Sequence, residues 1–170
     1  MFFAVCIIMH QILDVNGCVD VNRMSIIHQL CTAPGKRRLH ITFNRAIDMS
    51  SQSLISAVSS LSGIVDRILT SGQSATALEG LAEISAAHNQ FPQVSIIAAG
   101  GINGDNVSRF ACLNGVHLAS AVTVNQQSPA ISKSRAFMGS LSKDSEHLRK
   151  VVSCAKTVEI NELFIKSRNN

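Results

Sequence analysis

Two stretches decide the fold of this 170-residue chain: Ile41-Thr42-Phe43-Asn44-Arg45-Ala46-Ile47-Asp48 and Asp66-Arg67-Ile68-Leu69-Thr70-Ser71-Gly72-Gln73. Each carries a short run of β-branched and aliphatic residues that stops abruptly in polar ones, Asn44-Arg45 in the first and Thr70-Ser71-Gly72 in the second. A short apolar run bounded by turn residues reads as a buried strand. Working outward, the strands extend over 39–44 and 65–71, and two similar runs follow, VSIIAA at 94–99 and GVHLAS at 115–120. Between the four lie stretches of helical length and period: Ser51–Leu61, Ala75–His88 with Leu78, Leu81, Ala82 and Ile84 on one face, and Asp105–Leu113. Strands separated by helices pair in parallel through right-handed crossovers, with helices covering the sheet. The fold class is α/β.

Upstream, Asp14-Val15-Asn16-Gly17 marks a turn, and Asp20 is placed to cap a helix running to about Leu30 and stopped by Pro34-Gly35. The first ten residues fall where a further strand belongs. Their apolar run, Phe2 to Met9, has neither a basic flank nor a small-residue cleavage site, so a strand or a broken gene start fits better than a secretion signal. Beyond Ser120 the alternation stops. Residues 123–143 are serine-rich without a period and read as a long loop, and a charged tail from Asp144 closes with a helix over Val158–Ile165. No linker divides the chain: residues 1–122 hold the strand–helix units, and 123–170 form a loop and tail packed on the same domain. Periodicity leaves two architectures open, a doubly wound sheet of five strands and part of a (β/α)8 barrel.

Composition excludes several classes. With 46% hydrophobic residues the chain can fill a core, and area scaling for this length puts roughly 69% of its extended surface out of water, which rules out disorder for the bulk. No apolar run approaches the ~20 residues of a spanning helix, so no membrane partner is expected. Aromatics are 4%, with no Trp or Tyr, and single-strand nucleic-acid binders need such stacking surfaces. Lys36-Arg37-Arg38 is the one basic cluster in a chain of net charge +4 and reads as a solvated loop, so no nucleic-acid partner is expected. The five cysteines, at 6, 18, 31, 112 and 154, are odd in number and form no C-x-x-C pair. They read as buried free thiols in a reducing, cytoplasmic setting.

The two deciding stretches, with Ala77-Leu78-Glu79-Gly80-Leu81 after them, resemble the V-T-F-H-R-A-F-D, D-R-I-L-T-S-G-Q and A-x-x-G of the CutC copper homeostasis family. Ile97-Ala98-Ala99-Gly100-Gly101-Ile102-Asn103 is similar to its I-M-A-G-G-G-V-N, and Val116-His117-Leu118 to its V-H-x-S. Ile12 to Asp20 is similar to its L-T-x-D-G-x-I-D loop after strand four, and Phe137-Met138-Gly139-Ser140 to the tail of animal members. The resemblance implies a (β/α)8 TIM barrel of which strands four or five to eight are present, with a C-terminal helical tail. The family's L-E-V-C, R-I-E-L-C and M-I-R-P-R segments have no counterpart, so a truncated or incompletely assigned animal-type member is expected.

Barrel sites form at the C-terminal ends of strands. That selects Asn44, Arg45 and Asp48, then Thr70, Ser71 and Gly72, then Gly100, Gly101 and Asn103, with Ser120 after the last strand. Asn44 stands where the family has His and cannot titrate near neutral pH. Arg45 either grips a carboxylate or phosphate bidentately or pairs with Asp48. Thr70 and Ser71 supply hydroxyls to a ligand or to a helix cap. Gly100 and Gly101 lead into the helix expected from Asp105, where converging amides favour an anion, or serve only to reverse the chain. The resemblance implies copper homeostasis with copper ion binding, and more a binding protein than an enzyme. Cu(I) prefers thiolates, the family's best-placed cysteines lie in the segments without counterpart, and His117 reads as a packed core imidazole. The alternatives are a TIM-barrel enzyme or sensor for a small, phosphate-bearing anionic metabolite, and a non-functional fragment. Open sheet edges lead us to expect self-association.

Overall fold

The computed structural model describes residues 6–9, 12–35, 37–127 and 148–169. Five strands, β1 (Cys6–Met9), β2 (His40–Phe43), β3 (Arg67–Thr70), β4 (Ser95–Ala99) and β5 (Gly115–His117), form one parallel sheet. Their spatial order is β1-β2-β3-β4-β5, identical to the chain order. A doubly wound sheet reverses direction at a switch point, whereas a barrel advances one strand at a time. The sheet is therefore a partial TIM barrel, and the doubly wound alternative falls.

The register pairs Phe43 with Ile68, Ile68 with Ile96 and Thr70 with Ala98. With Ile41 two residues before Phe43, these side chains share one face, and all are buried. They form the core together with Leu54, Ala57, Val58 and Leu61 of α2 (Leu54–Leu61) and Ile84 and Ala87 of α3 (Leu81–Gln90). On the other face Arg67, Leu69, Ser95 and Ile97 are only half-buried. The first helix, α1 (Val21–Cys31), starts where expected, with the Asp20 carboxylate accepting from the Arg23 amide at 3.0 Å.

Several expectations need correction. α3 begins at Leu81, six residues after Ala75, because Ser74–Gly80 turns to lay Gly80 against the Ser71–Gly72 backbone. Leu78 and Ala82 are consequently exposed, and Ile84 and Ala87 make the buried face. The helix expected over Asp105–Leu113 is a single 3-10 turn, Val107–Phe110. Asn side chains compete with a helix here: Asn103 Oδ1 accepts from the Asp105 amide and Asn106 Oδ1 from the Asn103 amide, both at 2.9 Å. His117 ends β5 exposed, outside the packed core, because the sheet stops at that strand among the described residues.

Where a long loop was expected, Thr123–Gln127 (β6) pairs antiparallel with Leu148–Val152 (β7), while the intervening segment of that loop lies outside the described residues. The Phe137–Ser140 resemblance falls in that segment. The closing helix, α4 (Cys154–Arg168), extends beyond the expected Val158–Ile165 because the Ser153 hydroxyl caps it, accepting from the Lys156 amide at 3.4 Å. α4 packs on the 3-10 turns Val107–Phe110 and Ser120–Val122 through Ile160 and Phe164. Of the four cysteines whose burial is described, Cys31 is buried, Cys18 half-buried, and Cys112 and Cys154 exposed, so among these the expectation of buried thiols holds for Cys31.

Candidate functional site

The chain turns sharply at the end of β2 because the Asn44 side chain accepts from the Ala46 amide at 3.0 Å and opens a 3-10 turn, Arg45–Met49. That turn sets Arg45 and Asp48 side by side, with Arg45 Nε donating to Asp48 Oδ2 at 2.7 Å. Asp48 is almost fully enclosed, its side chain 7% exposed. Its Oδ1 accepts from Thr70 Oγ1 at 2.5 Å and from the amides of Ser71 at 3.1 Å and Gln73 at 3.3 Å. Its Oδ2 also takes the Ser71 amide at 3.0 Å and stands 2.9 Å from Ser71 Oγ. One carboxylate thus ties the end of β2 to the end of β3.

Arg45 Nη2 donates to Ser71 Oγ at 2.8 Å. The Ser71 oxygen also lies 2.7 Å from the Ser74 carbonyl, so its single proton is committed to Asp48 or to Ser74. Thr70 and Ser71 are fully buried. Gly72 has φ +73, and its amide donates to Thr70 Oγ1 at 2.9 Å. These groups hold one another.

The end of β4 meets this cluster through Gly100 and Gly101, whose φ values of +118 and +69 suit glycine. A methyl group built on Gly100 would stand 3.2 Å from Arg45 Nη1 and 3.4 Å from Ser71 Cβ, so the guanidinium lies against the bare face of this glycine. The Gly100 carbonyl accepts from the Ala77 amide at 2.9 Å, and the Gly101 carbonyl from Asn106 Nδ2 at 3.0 Å. Asn103 closes its own turn, as described above. The structure therefore joins Arg45, Asp48, Thr70, Ser71, Gly72 and Gly100, with Asn44 shaping the turn and Gly101 and Asn103 on the next loop. Ser120 lies apart, exposed on the turn after β5, its carbonyl accepting from Thr123 Oγ1 at 3.1 Å.

Two participants were not singled out from sequence. Gln73 adopts φ +59, and its side chain donates to the Gln52 carbonyl at 2.7 Å, while Gln52 Oε1 accepts from the Val19 amide at 2.9 Å. Those bonds extend the tie to the loop after β1, where the Ser51 amide donates to the Gly17 carbonyl at 2.9 Å. Gly80 is the other: a Cβ there would overlap the Ser71 carbonyl oxygen and fall 2.8 Å from Gly72 Cα. Its A-x-x-G spacing was the available signal. Nothing in the letters marks Gln73, since Asn or Gly are the usual residues at positive φ.

Chemically, Arg45 and Asp48 cancel in charge, and the Nε and Nη2 donors of one guanidinium edge are spent inside the protein. The side chain is 44% exposed, and Nη1 donates to nothing among the described residues. The arrangement thus presents one open donor edge beside a glycine corner. Copper fits these residues poorly. No group of three or more His, Cys, Asp or Glu side chains gathers among the described residues. Cys18, 3.4 Å from Ser51 Oγ, is the thiol in the strand-end loops.

A second ion cluster sits at the opposite, N-terminal end of the strands. Asp66 accepts from Arg38 Nη2 at 2.6 Å and from the Ile41 amide at 2.8 Å, with His40 Nδ1 3.4 Å away. Burial alone would raise its carboxyl, but the Ile41 amide, the Arg38 hydrogen bond and charge, and His40 outweigh that and hold it below the ordinary aspartate value. In barrels this end serves stability. No helix among the described residues is long and apolar enough to cross a membrane. The sequence model of the CutC family matches residues 4–123, a span that takes in β1 to β5 and all the strand-end residues named above, and on that match the chain belongs to the CutC family.

Proposed function

We propose that this CutC chain, placed by its family in copper homeostasis, works by binding a small anion at the C-terminal ends of β2, β3 and β4, with Arg45 as the anchor. The observation that carries the reading is the state of Arg45: one guanidinium edge is fixed by Asp48 and Ser71, and Nη1 beside Gly100 has no protein acceptor among the described residues. A fixed cation with open donors is pre-organised for an oxyanion and loses little conformational freedom on binding it. Binding suits the site better than turnover, because Asp48 is saturated with donors and Asn44 cannot take up a proton. The buried Cys31 thiol supports a reducing, cytoplasmic setting.

The test is a thermal-shift titration with small carboxylates and inorganic phosphate at constant ionic strength, on the wild type and on Arg45→Ala. A ligand that binds only the folded chain raises the wild-type midpoint by mass action. The variant is expected to remain folded and lose the rise. No shift with any of these anions in a folded sample would remove the reading. Copper binding by the chain itself is the second reading, and the position of Cys18 in the strand-end loops favours it. Tight, stoichiometric Cu(I) binding that disappears in Cys18→Ser would establish it over the first.

A further inference from the structure

We infer that the anion held at Arg45 is a carboxylate rather than a phosphate, an inference that rests on the anion-binding reading above. The side edge of the guanidinium is consumed by Asp48 and Ser71. What remains is the end edge, formed by Nη1 and the second proton of Nη2. Two parallel donors in one plane match the two oxygens of a carboxylate. A phosphate has a third free oxygen and a second charge to satisfy, and phosphate sites draw on converging backbone amides at a helix N-terminus for that purpose.

Here no helix N-terminus follows β4 to gather such amides. The segment after Gly101 makes a single 3-10 turn instead of a helix, and the amides of Asn103 and Asp105 already donate to Asn106 and Asn103 side chains. The Ser71 and Thr70 hydroxyl protons are committed within the protein. Asp48 acts in the same direction. Its carboxylate, 2.7 Å from Arg45 Nε, offsets the guanidinium charge, so the second charge of a phosphate dianion gains little attraction there. The site is one planar donor pair of nearly cancelled charge.

The experiment titrates acetate and inorganic phosphate separately into the full chain near neutral pH, at matched ionic strength with chloride as control. The side-chain nitrogen signals of Arg45 are followed by NMR. Acetate is expected to move them saturably, with a dissociation constant lower than that of phosphate by about threefold or more, a free-energy difference of roughly 0.6 kcal/mol. Arg45→Lys keeps the charge but not the planar pair and is expected to lose the preference. Phosphate binding equally well or better would overturn the inference and leave the anion reading standing. If neither anion moves the Arg45 signals, both fall. A preference retained in Arg45→Lys would overturn the end-edge geometry, and the wild-type titration decides the ligand class even where the variant does not fold.

Discussion

Asp48 carries more of the strand-end architecture than any other single side chain, since Arg45, Thr70, Ser71 and Gln73 all donate to it. Replacing it with alanine strands two buried hydroxyls and leaves a guanidinium without its partner. Losses of that kind cost about 3 kcal/mol. Asp48→Ala is expected to lower the urea midpoint accordingly, and a loss below about 1 kcal/mol would mean that the network is no more than a surface ion pair. Of this cluster, the pairing of Arg45 with Asp48 was legible from their three-residue spacing, though it stood level with a ligand role. The burial of both hydroxyls was not, because Thr-Ser at a strand end reads equally as a helix cap. Asp66 makes a different prediction. Its carboxyl is held below the ordinary value in the folded chain, so the unfolded chain takes up the proton first as pH falls. Its contribution to stability is therefore complete above the usual aspartate range and is lost as pH drops through the folded value. Asp66→Asn should flatten the acid limb of a stability-against-pH curve measured by chemical denaturation. An unchanged limb would show that Arg38 and His40 do not stabilise this carboxylate.

At the level of elements, the legible features were those with a local cause. The four strand ends announced themselves through apolar runs broken by polar residues, and α1 through the Asp20 cap. Two of the failures have a nonlocal cause, and the third a local competition for amides. α3 starts late because Gly80 must lie against Gly72, a contact set by packing between loops rather than by propensity. β6 and β7 escaped notice because each finds its partner across a long intervening segment, and TVNQQ carries no alternation of its own. The 3-10 turn at Val107–Phe110 was misread because Asn103 and Asn106 bond locally to amides that a helix would have used. Gly80 supplies the test at this scale. It has no positive φ to relieve, so Gly80→Ala acts through overlap with the Ser71–Gly72 backbone alone, and because that neighbour is backbone, the two loops must separate. Gly63 is the converse, with φ +82 and nothing within 4 Å of a built Cβ. Gly63→Ala is expected to cost about 1 kcal/mol through backbone strain, and Gly80→Ala about 3 kcal/mol or more, as overpacking does. For a chain of this length the difference corresponds to roughly 4–8 °C in thermal midpoint. Equal losses would show that the two loops yield readily and that Gly80 is not what delays α3.

The sheet as a whole carries a further consequence for association. Among the described residues β1 pairs only with β2 and β5 only with β4, so each outer strand presents an unpaired backbone edge. Short edge strands are less hazardous than long ones, and β5 is three residues long, but β1 has four and no described strand beyond it. The face opposite the helices adds half-exposed Leu69 and Ile97 beside Arg67 and Ser95, a mixed surface that gains from being covered. In a closed barrel the same residues would point inward and the two edges would meet other strands. We therefore expect the purified chain to associate, with sedimentation velocity giving a weight-average mass above 18.2 kDa that rises with concentration in the micromolar range. Association through the sheet should respond to charge placed on its face: Ile97→Lys, at a half-buried position between β3 and β5, is expected to shift the equilibrium toward monomer. A concentration-independent monomer that unfolds in one cooperative step would show that the described sheet is self-sufficient with both edges open. The same measurement bears on the fragment alternative, since a chain unable to fold as it stands would give no cooperative transition at any concentration.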